Sequence, residues 1–158
     1  MYHHEPEGYR CPFCAFIRGA NGLINTDNDQ VYQDDLVTAS ISPHWWPNNA
    51  GHVVIVPNAH FENIYDLPQV YAHRIQDVAQ VLALAMKHTY HCQGISTRQH
   101  NEPAGNQDVW HYHLHVFPRY EGDNLYLSQR STEVASAEQR RAYAEMIKSY
   151  LSEHASTK

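Results

Sequence analysis

The feature that most constrains this chain is the segment Asp108–Tyr120, DVWHYHLHVFPRY, in which three histidines alternate with apolar residues. Because successive side chains of a β-strand point to opposite faces, the pattern predicts a strand with His111, His113 and His115 on one face. The opposite face would point into a core and carry Trp110, Tyr112, Leu114 and Val116. The histidine Cα atoms would lie roughly 6–7 Å apart along the strand. Their side chains could therefore converge on one phosphate or one metal ion.

Three interpretations of this histidine row are open. It could be a solvated strand face without function, a His-x-His metal strand like that of the cupins, or a phosphate-attacking site. A cupin-like site requires a glutamate a few residues after the histidine pair, and Glu121 lies beyond Pro118, where it is badly placed. Three histidines in register make the solvated face the least favoured reading, although motif matches do produce false positives. Repulsion between like charges should keep at least one imidazole neutral and nucleophilic at pH 7.

Length and charge narrow the class of protein. A chain of 158 residues can bury one core, and we predict a single domain over 1–158, with its core in 11–120 and a C-terminal helical extension over 133–154. Asp and Glu (17) outnumber Lys and Arg (11), and no basic run occurs, which argues against duplex nucleic acid or an anionic membrane surface as partner. With no long apolar run and no signal-peptide pattern at the N-terminus, we expect a cytoplasmic protein.

Hydrophobic periodicity predicts short strands and two main helices. Strands are expected at 31–35 and 36–42, paired as a hairpin around Asp34-Asp35, and at 52–57, 95–100 and 108–120. A short helical turn is expected at 11–19, a long helix from Pro68 to about Cys92, and a last helix from Ser136 with Gln139 completing a capping box. Short turns between neighbouring strands favour an α+β fold, in which an antiparallel sheet of about five strands packs on a long central helix and a C-terminal helix.

The three cysteines include one closely spaced pair. Cys11 and Cys14 form a Cys-x-x-Cys sequence, whereas Cys92 lies alone near a predicted helix end. In a reducing compartment such a pair indicates metal binding or redox chemistry more than a structural disulfide. A reduced, metal-free pair is the plain alternative.

The sequence HYHLHVF resembles the His-φ-His-φ-His-φ-φ pattern of the histidine-triad (HIT) family of nucleotide hydrolases and transferases. The similarity extends, in the order found in the family, over CPFC, GHVVIVPNAHFENIYDL, NEPAGNQDVW and PRY, and covers about residues 11–120. The uridylyltransferase branch has glutamine at the third triad position. Because His115 stands there in this chain, the sequence is more similar to the hydrolase branches.

The resemblance implies a reaction at the α-phosphate of a nucleotide conjugate, either a dinucleoside polyphosphate or a nucleoside phosphoramidate. His113 would attack phosphorus, expel the leaving group and form a nucleotidyl-imidazole that water then hydrolyses. The backbone carbonyl of His111 would fix the His113 tautomer, and His115 would hold a phosphoryl oxygen and assist the leaving group. Two other classes stay open: a nucleotide-binding regulatory module with little turnover, and a metal-binding protein in which the triad itself chelates.

Further substrate contacts are expected from the turn before the histidines. The candidates are Gln99, Asn101, Gly105, Gln107 and Asp108, joined by His52 if that histidine lies beside the triad. The turn is one residue longer than the usual AGQ-x-V-x pattern, so either Gln99 or Asn101 could fill the polar position of the family. A structural role for His52 is equally compatible with the sequence.

The resemblance also implies a metal site and a partner. Relatives that carry the N-terminal Cys-x-x-Cys close a zinc site with two histidines, which predicts a structural zinc ion bound by Cys11, Cys14, His60 and His111. No organic cofactor is expected. Relatives pair through the long helix and an edge strand, so we expect a homodimer. The apolar contact residues would be Tyr71, Ile75, Tyr90 and the Trp45-Trp46 loop.

One segment departs from the family pattern. Many relatives have an aspartate at the end of the second strand, whose carboxylate holds both ribose hydroxyls, and Ser40 occupies that place here. Weaker ribose selectivity is therefore expected, because a serine hydroxyl replaces a two-oxygen charged acceptor. The Trp45-Trp46 loop could substitute by base stacking, although core packing or a subunit contact is the commoner role. Asp34 or Asp35 could equally replace the missing acceptor.

Overall fold

A computed structural model of the chain describes residues 2–20 and 23–154. One antiparallel sheet contains β1 (Gln30–Gln33), β2 (Val37–Ile41), β3 (Val53–Pro57), β4 (Gly94–Gln99) and β5 (Leu114–Arg119), in the order β1-β2-β3-β5-β4. The helices are α1 (Pro12–Ile17), α2 (Gln69–Thr89) and α3 (Ala137–His154). The predicted α+β fold, with five strands and two main helices, is confirmed. Within the described residues, no helix combines the length and apolarity needed to cross a bilayer.

Local chemistry accounts for the first hairpin and the central strand. The Asp34 carboxylate accepts hydrogen bonds from the backbone N–H groups of Leu36 and Val37, which closes the turn between β1 and β2 as predicted. The third strand lies between two others, and all five of its residues are buried. Its unbroken apolar sequence VVIVP is the pattern expected of a strand covered on both faces. Asp34 also accepts a hydrogen bond from the guanidinium of Arg74 on α2, so both of its carboxylate oxygens are already used and neither is free to bind a ribose.

The two main helices cover the sheet with their apolar faces. Ile75, Val78, Leu82 and Ala85 recur at helical spacing along α2 and are buried against the strands. The helix begins one residue after Pro68 and ends at Thr89, slightly earlier than predicted. At the start of α3, Ser136 and Gln139 exchange hydrogen bonds with each other's backbone N–H groups, which confirms the capping box.

The histidine segment departs from the predicted strand. The fifth strand begins only at Leu114, so His111 and His113 precede it and just His115 lies within it. Pairing between β3 and β5 stops at Leu114. Just before it, the backbone N–H of Tyr112 donates instead to the carbonyl of Phe61, in the segment after β3. Tyr112, Leu114 and Val116 do join the core. Trp110 does not join the core. Its side chain is half-buried outside the core cluster, and its backbone N–H donates to the hydroxyl of Tyr9.

Candidate functional site

A cavity of about 380 Å³ lies between α1, the end of β2 and the histidine segment. His113 and His115 line it from β5 and the residues just before, and Asp108 and Ser40 add polar groups. The ring of His111 is not part of the lining and points to another site. The remaining lining residues are Pro12, Phe13, Phe16, Leu23, Ile24, Asn25, Ser42, Pro43, His44, Val54, Val109 and Arg130.

Backbone geometry determines the tautomer of His113. Its Nδ1 lies 2.8 Å from the carbonyl oxygen of His111. A carbonyl oxygen can only accept, so Nδ1 must carry the proton, and Nε2 keeps its lone pair. Burial lowers the pKa of His113 below its usual value, against the opposing effect of this hydrogen bond. His113 is therefore held neutral at pH 7, with a nucleophilic nitrogen at the cavity.

His115 and His52 form a second pair behind His113. The Nδ1 of His115 lies 3.3 Å from Nε2 of His52, and the rings of His113 and His115 meet edge-on with centroids 5.0 Å apart. His52 is fully buried and stacks on Phe117 at 4.5 Å, without lining the cavity. Burial lowers the pKa of His52 to about 3 and that of His115 well below its usual value. Both are neutral at pH 7, and His52 orients His115 from behind.

Four of the predicted phosphate donors are placed elsewhere. Gln107 is buried and bound to backbone, through Nε2 to the Glu62 carbonyl at 2.6 Å and through Oε1 to the Glu102 N–H at 2.8 Å. The other three lie in the turn before the histidine segment, where Gln99 and Asn101 bind each other, Asn101 also accepts from the Ile64 N–H, and the Gly105 carbonyl binds the neighbouring His100. In the described part of the chain, none of the four lines the cavity. Only Asp108 from this group does so.

Two charged groups that sequence reasoning did not connect meet at the mouth of the cavity. An Nη1 of Arg130 lies 2.9 Å from one carboxylate oxygen of Asp108, and the other oxygen lies 3.9 Å from His113 Nε2. His44 lines the same wall, and its buried Nδ1 has no hydrogen-bond partner among the described residues. The sequence around Arg130 does not indicate this position, because the segment after β5 reaches the cavity only through the tertiary fold.

Aromatic side chains from the cysteine helix form the apolar wall. Phe13 packs on both His111 and His113, with ring centroids 5.7 and 5.4 Å apart, and Phe16 lies beside it in the cavity lining. The spacing of apolar residues within CPFCAF could have suggested this wall. Neither Trp45 nor Trp46 lines the cavity: Trp45 packs on Tyr143 and the core, and Trp46 lies edge-on to His115 and Phe117. Base stacking by this loop stays a prediction.

A second cluster lies on the other side of α1. Ligand atoms of Cys11, Cys14, His60 and His111 all fall within 4.8 Å of one another. The Sγ of Cys11 is 3.3 Å from His111 Nδ1, and the Sγ of Cys14 is 3.2 Å from His60 Nδ1. The geometry of α1 brings the two cysteines together, because Cys11 is its N-cap residue and Cys14 lies one turn later.

The outer contacts of this cluster suit a metal ion. His111 donates from Nε2 to the Pro57 carbonyl at 3.0 Å, and His60 donates from Nε2 to the Glu5 carboxylate at 2.7 Å. Both Nδ1 lone pairs therefore face the sulfurs, the arrangement usual for histidine ligands of zinc. Without a cation, burial raises the pKa of the Cys11 thiol to about 12. A divalent ion would supply the charge needed to deprotonate it, so the donor set fits zinc.

Known proteins resemble the chain over most of its length. Residues 24–122 match the HIT domain family. Protein hit of Bacillus subtilis is 30% identical over 116 residues, covering 73% of this chain and 75% of that protein. Adenylylsulfatase HINT3 of Arabidopsis thaliana is 24% identical over 119 residues, covering 75% of this chain and 57% of the relative.

A solved structure extends the match to nearly the whole chain. The crystal structure of a Zn-bound histidine triad family protein from Mycobacterium smegmatis superposes with a TM-score of 0.75 at 25% identity, covering 94% of this chain and 97% of the other. The sequence match, the shared fold and the histidine segment agree with one another. The chain belongs to the HIT family.

Proposed function

We propose that this protein is a nucleotide hydrolase or nucleotidyl transferase that acts at the α-phosphate of a nucleotide conjugate through a nucleotidyl-histidine intermediate. The Nε2 lone pair of His113 forms a bond to the α-phosphorus, while the bond from phosphorus to the leaving group breaks and its electron pair goes to that group. His115 holds a phosphoryl oxygen and assists departure. A water then replaces Nε2 on phosphorus and releases the nucleotide, a proton and free His113.

The single observation that carries this proposal is the hydrogen bond from His113 Nδ1 to the His111 carbonyl. It leaves Nε2 unprotonated and directed at a cavity that holds both polar groups and an aromatic wall. A chelating triad would need the same nitrogen for a metal. The metal-ligating cluster found among the described residues contains His111 and neither of the other two triad histidines.

The test is turnover of two substrates by the purified protein. A fluorogenic adenosine phosphoramidate and a dinucleoside polyphosphate should be hydrolysed, and rapid quenching should give a protein adduct with the added mass of a nucleotidyl group on the peptide that contains His113. The name of the Arabidopsis relative, an adenylylsulfatase, supports an adenylyl-bearing substrate. Tight nucleotide binding with neither turnover nor adduct would instead indicate a regulatory binding module.

We further propose that Cys11, Cys14, His60 and His111 bind a structural zinc ion. The set offers two sulfurs and two nitrogens, the composition of closed tetrahedral sites, and leaves no position for a reacting water. It would join the N-terminal segment to the loop after β3 and to the histidine segment. About one equivalent of zinc is expected by elemental analysis of protein purified without chelator, and less than about half an equivalent would contradict the assignment.

A homodimer formed through α2 and the edge strand β4 is the assembly we propose. Leu84 and Val70 on α2 are about half exposed, which leaves apolar surface on the outer face of the helix. Two contact residues predicted from the sequence are wrong, because Ile75 and Tyr90 are buried in the core of the monomer. Light scattering at micromolar concentration should give twice the chain mass, and a monomeric mass would overturn the proposal.

A further inference from the structure

The segment from Arg130 to Ala135, here called the C-terminal strap, lies across the loop that follows β2. The N–H of Ser131 binds the Trp45 carbonyl at 2.8 Å, and the N–H of Ala135 binds the Pro43 carbonyl at 2.9 Å. Between these contacts Val134 pairs with His44 in an antiparallel bridge. The strap is therefore held by backbone pairing along its length, and its first residue is carried to the cavity independently of what its side chain contacts.

The fixed charges of the cavity make this arginine necessary for anion binding. Among the described lining residues, Asp108 is the one carboxylate, and Arg130 is the one arginine or lysine. A carboxylate 3.9 Å from the nucleophilic nitrogen would repel an incoming phosphate. Arg130 offsets that repulsion and leaves the cavity close to neutral.

The position of the arginine relative to the nucleophile decides which phosphate it can reach. The attacked phosphorus must lie within roughly 3–3.5 Å of His113 Nε2. The Asp108 carboxylate, which touches Arg130 on one oxygen and approaches Nε2 with the other, separates the two groups. One carboxylate, at 2.9 Å from Arg130 and 3.9 Å from Nε2, thus spans the interval between them, so a phosphate that replaces the carboxylate at Arg130 would lie next to the attacked α-phosphate.

We propose, on the basis of the function proposed above, that Arg130 is a specificity-determining residue that binds the phosphate next to the α-phosphate. The site then selects substrates whose leaving group begins with a phosphate over substrates whose leaving group is an amine. When the α-phosphorus bond to the bridging oxygen breaks, the electron pair stays on that oxygen, and Arg130 stabilises the resulting charge on the leaving phosphate.

Binding requires an exchange of partners that the geometry permits. Asp108 and Arg130 are both about half exposed, and an ion pair of this kind contributes little to stability, so a substrate phosphate can replace the carboxylate at small cost. The planar guanidinium can offer two parallel N–H donors to phosphate oxygens.

Calorimetry with two uncleaved nucleotides tests the proposal. The wild-type protein should bind α,β-methylene-ADP at least about tenfold more tightly than AMP, because only the former places a phosphate at Arg130. Arg130→Gln should weaken AMP binding, because the Asp108 charge is then unopposed, and should weaken α,β-methylene-ADP binding more, so that the two affinities come within about twofold of each other. Arg130→Lys should keep part of the preference. Arg141→Gln, which removes an exposed arginine paired with Glu145 on α3, is the matched control and should behave as wild type.

A double variant separates phosphate binding from mere neutralisation of the carboxylate. If Arg130 contacts the phosphate, Asp108→Asn combined with Arg130→Gln should still lack the preference, whereas recovery of the wild-type preference would overturn the proposal. An unchanged preference in Arg130→Gln, or none in wild type, would also overturn it while AMP binding and turnover leave the proposed function intact. Failure of both nucleotides to bind would reject the proposed function and this inference together.

Discussion

The two sides of α1 hold sites of opposite character, although they share one residue. On one side four ligand atoms converge, and the outer nitrogens of both histidines are already bound to a carbonyl and a carboxylate. On the other side, the cavity is lined by His113, whose Nε2 is unprotonated, and by the half-exposed ion pair of Asp108 with Arg130. A satisfied set of donors stabilises a structure, whereas unsatisfied groups facing a cavity are available to a ligand.

His111 connects the two sides through different atoms. Its ring belongs to the cysteine cluster, while its backbone carbonyl holds the Nδ1 proton of His113. Phe13 makes a second connection, because it extends from the cysteine helix onto both histidine rings. The cysteine cluster and the cavity thus use different side-chain atoms but are connected through His111 and Phe13.

The largest effect should follow from His113→Ala. Loss of a covalent nucleophile is expected to lower turnover by at least about 10⁴-fold, because no other neutral nitrogen has the same position and tautomer. The metal content should stay at the wild-type value, since His113 is outside the cysteine cluster. Steady-state kinetics, elemental analysis and thermal unfolding measure the three quantities. His73→Ala, at an exposed position on α2, is the control, and activity within tenfold of wild type in His113→Ala would refute the assignment.

Cys14→Ala should affect the cysteine cluster rather than the cavity. Removal of a ligand from a closed zinc site is expected to abolish zinc binding and lower the free energy of unfolding on the order of 3 kcal/mol. Turnover per folded molecule should fall much less than in His113→Ala, because the His111 carbonyl is backbone and is retained. Chemical denaturation with parallel zinc analysis tests this. Cys92→Ala is the matched control at a cysteine outside the cluster, and an equal loss of metal there would contradict the assignment.

A smaller effect concerns stability in acid and the buried pair behind the nucleophile. The pKa of His52 is lowered from 6.5 to about 3, so between these values the unfolded chain binds a proton that the folded chain does not. His52 therefore costs stability as pH falls through 6.5, by about 1.4 kcal/mol for each pH unit down to about 3. Above pH 6.5 this dependence disappears.

His52→Gln should remove one proton from that dependence. The slope of the unfolding free energy against pH, measured by urea denaturation between pH 6 and 4, should decrease by about 1.4 kcal/mol per unit. Gln80→Ala, at an exposed position of α2 whose side chain carries no titratable group, is the control and should leave the slope unchanged. An unchanged slope in His52→Gln would show that the side chain is protonated in the folded protein.

The smallest effect is expected at the ribose. Ser40 lines the cavity, and Asp34 cannot replace the missing carboxylate because Arg74 and the hairpin backbone already bind it. AMP and its 2′,3′-dideoxy analogue should therefore differ in affinity by less than about tenfold, since Ser40 is uncharged and Asp108, the carboxylate in the lining, is paired with Arg130. Calorimetry on the wild-type protein decides this. A larger loss for the dideoxy form would show that Asp108 or another group acts as a strong ribose acceptor.

Local sequence patterns were sufficient to predict the main helices and the first hairpin. The apolar stripe of α2, the Ser136–Gln139 capping box and the Asp34 turn depend on contacts within a few residues, so their sequence signals survive in the structure. The family resemblance pointed both to His113 and to the cysteine cluster. The extent of the histidine strand was predicted wrongly, because the hydrogen bond from Tyr112 to Phe61 depends on a segment 51 residues away along the chain.

The chain's sequence by itself determined the helices and most of the sheet, and its resemblance to the family pointed to His113 as the candidate nucleophile. Only the tertiary structure placed Arg130 against Asp108, buried His52 behind His115 and turned Gln107 inward to backbone. Alternation and helical period are properties of near neighbours, each set by one or two dihedral angles per residue. Contacts between distant segments depend instead on how loops satisfy their backbone groups once the core has closed.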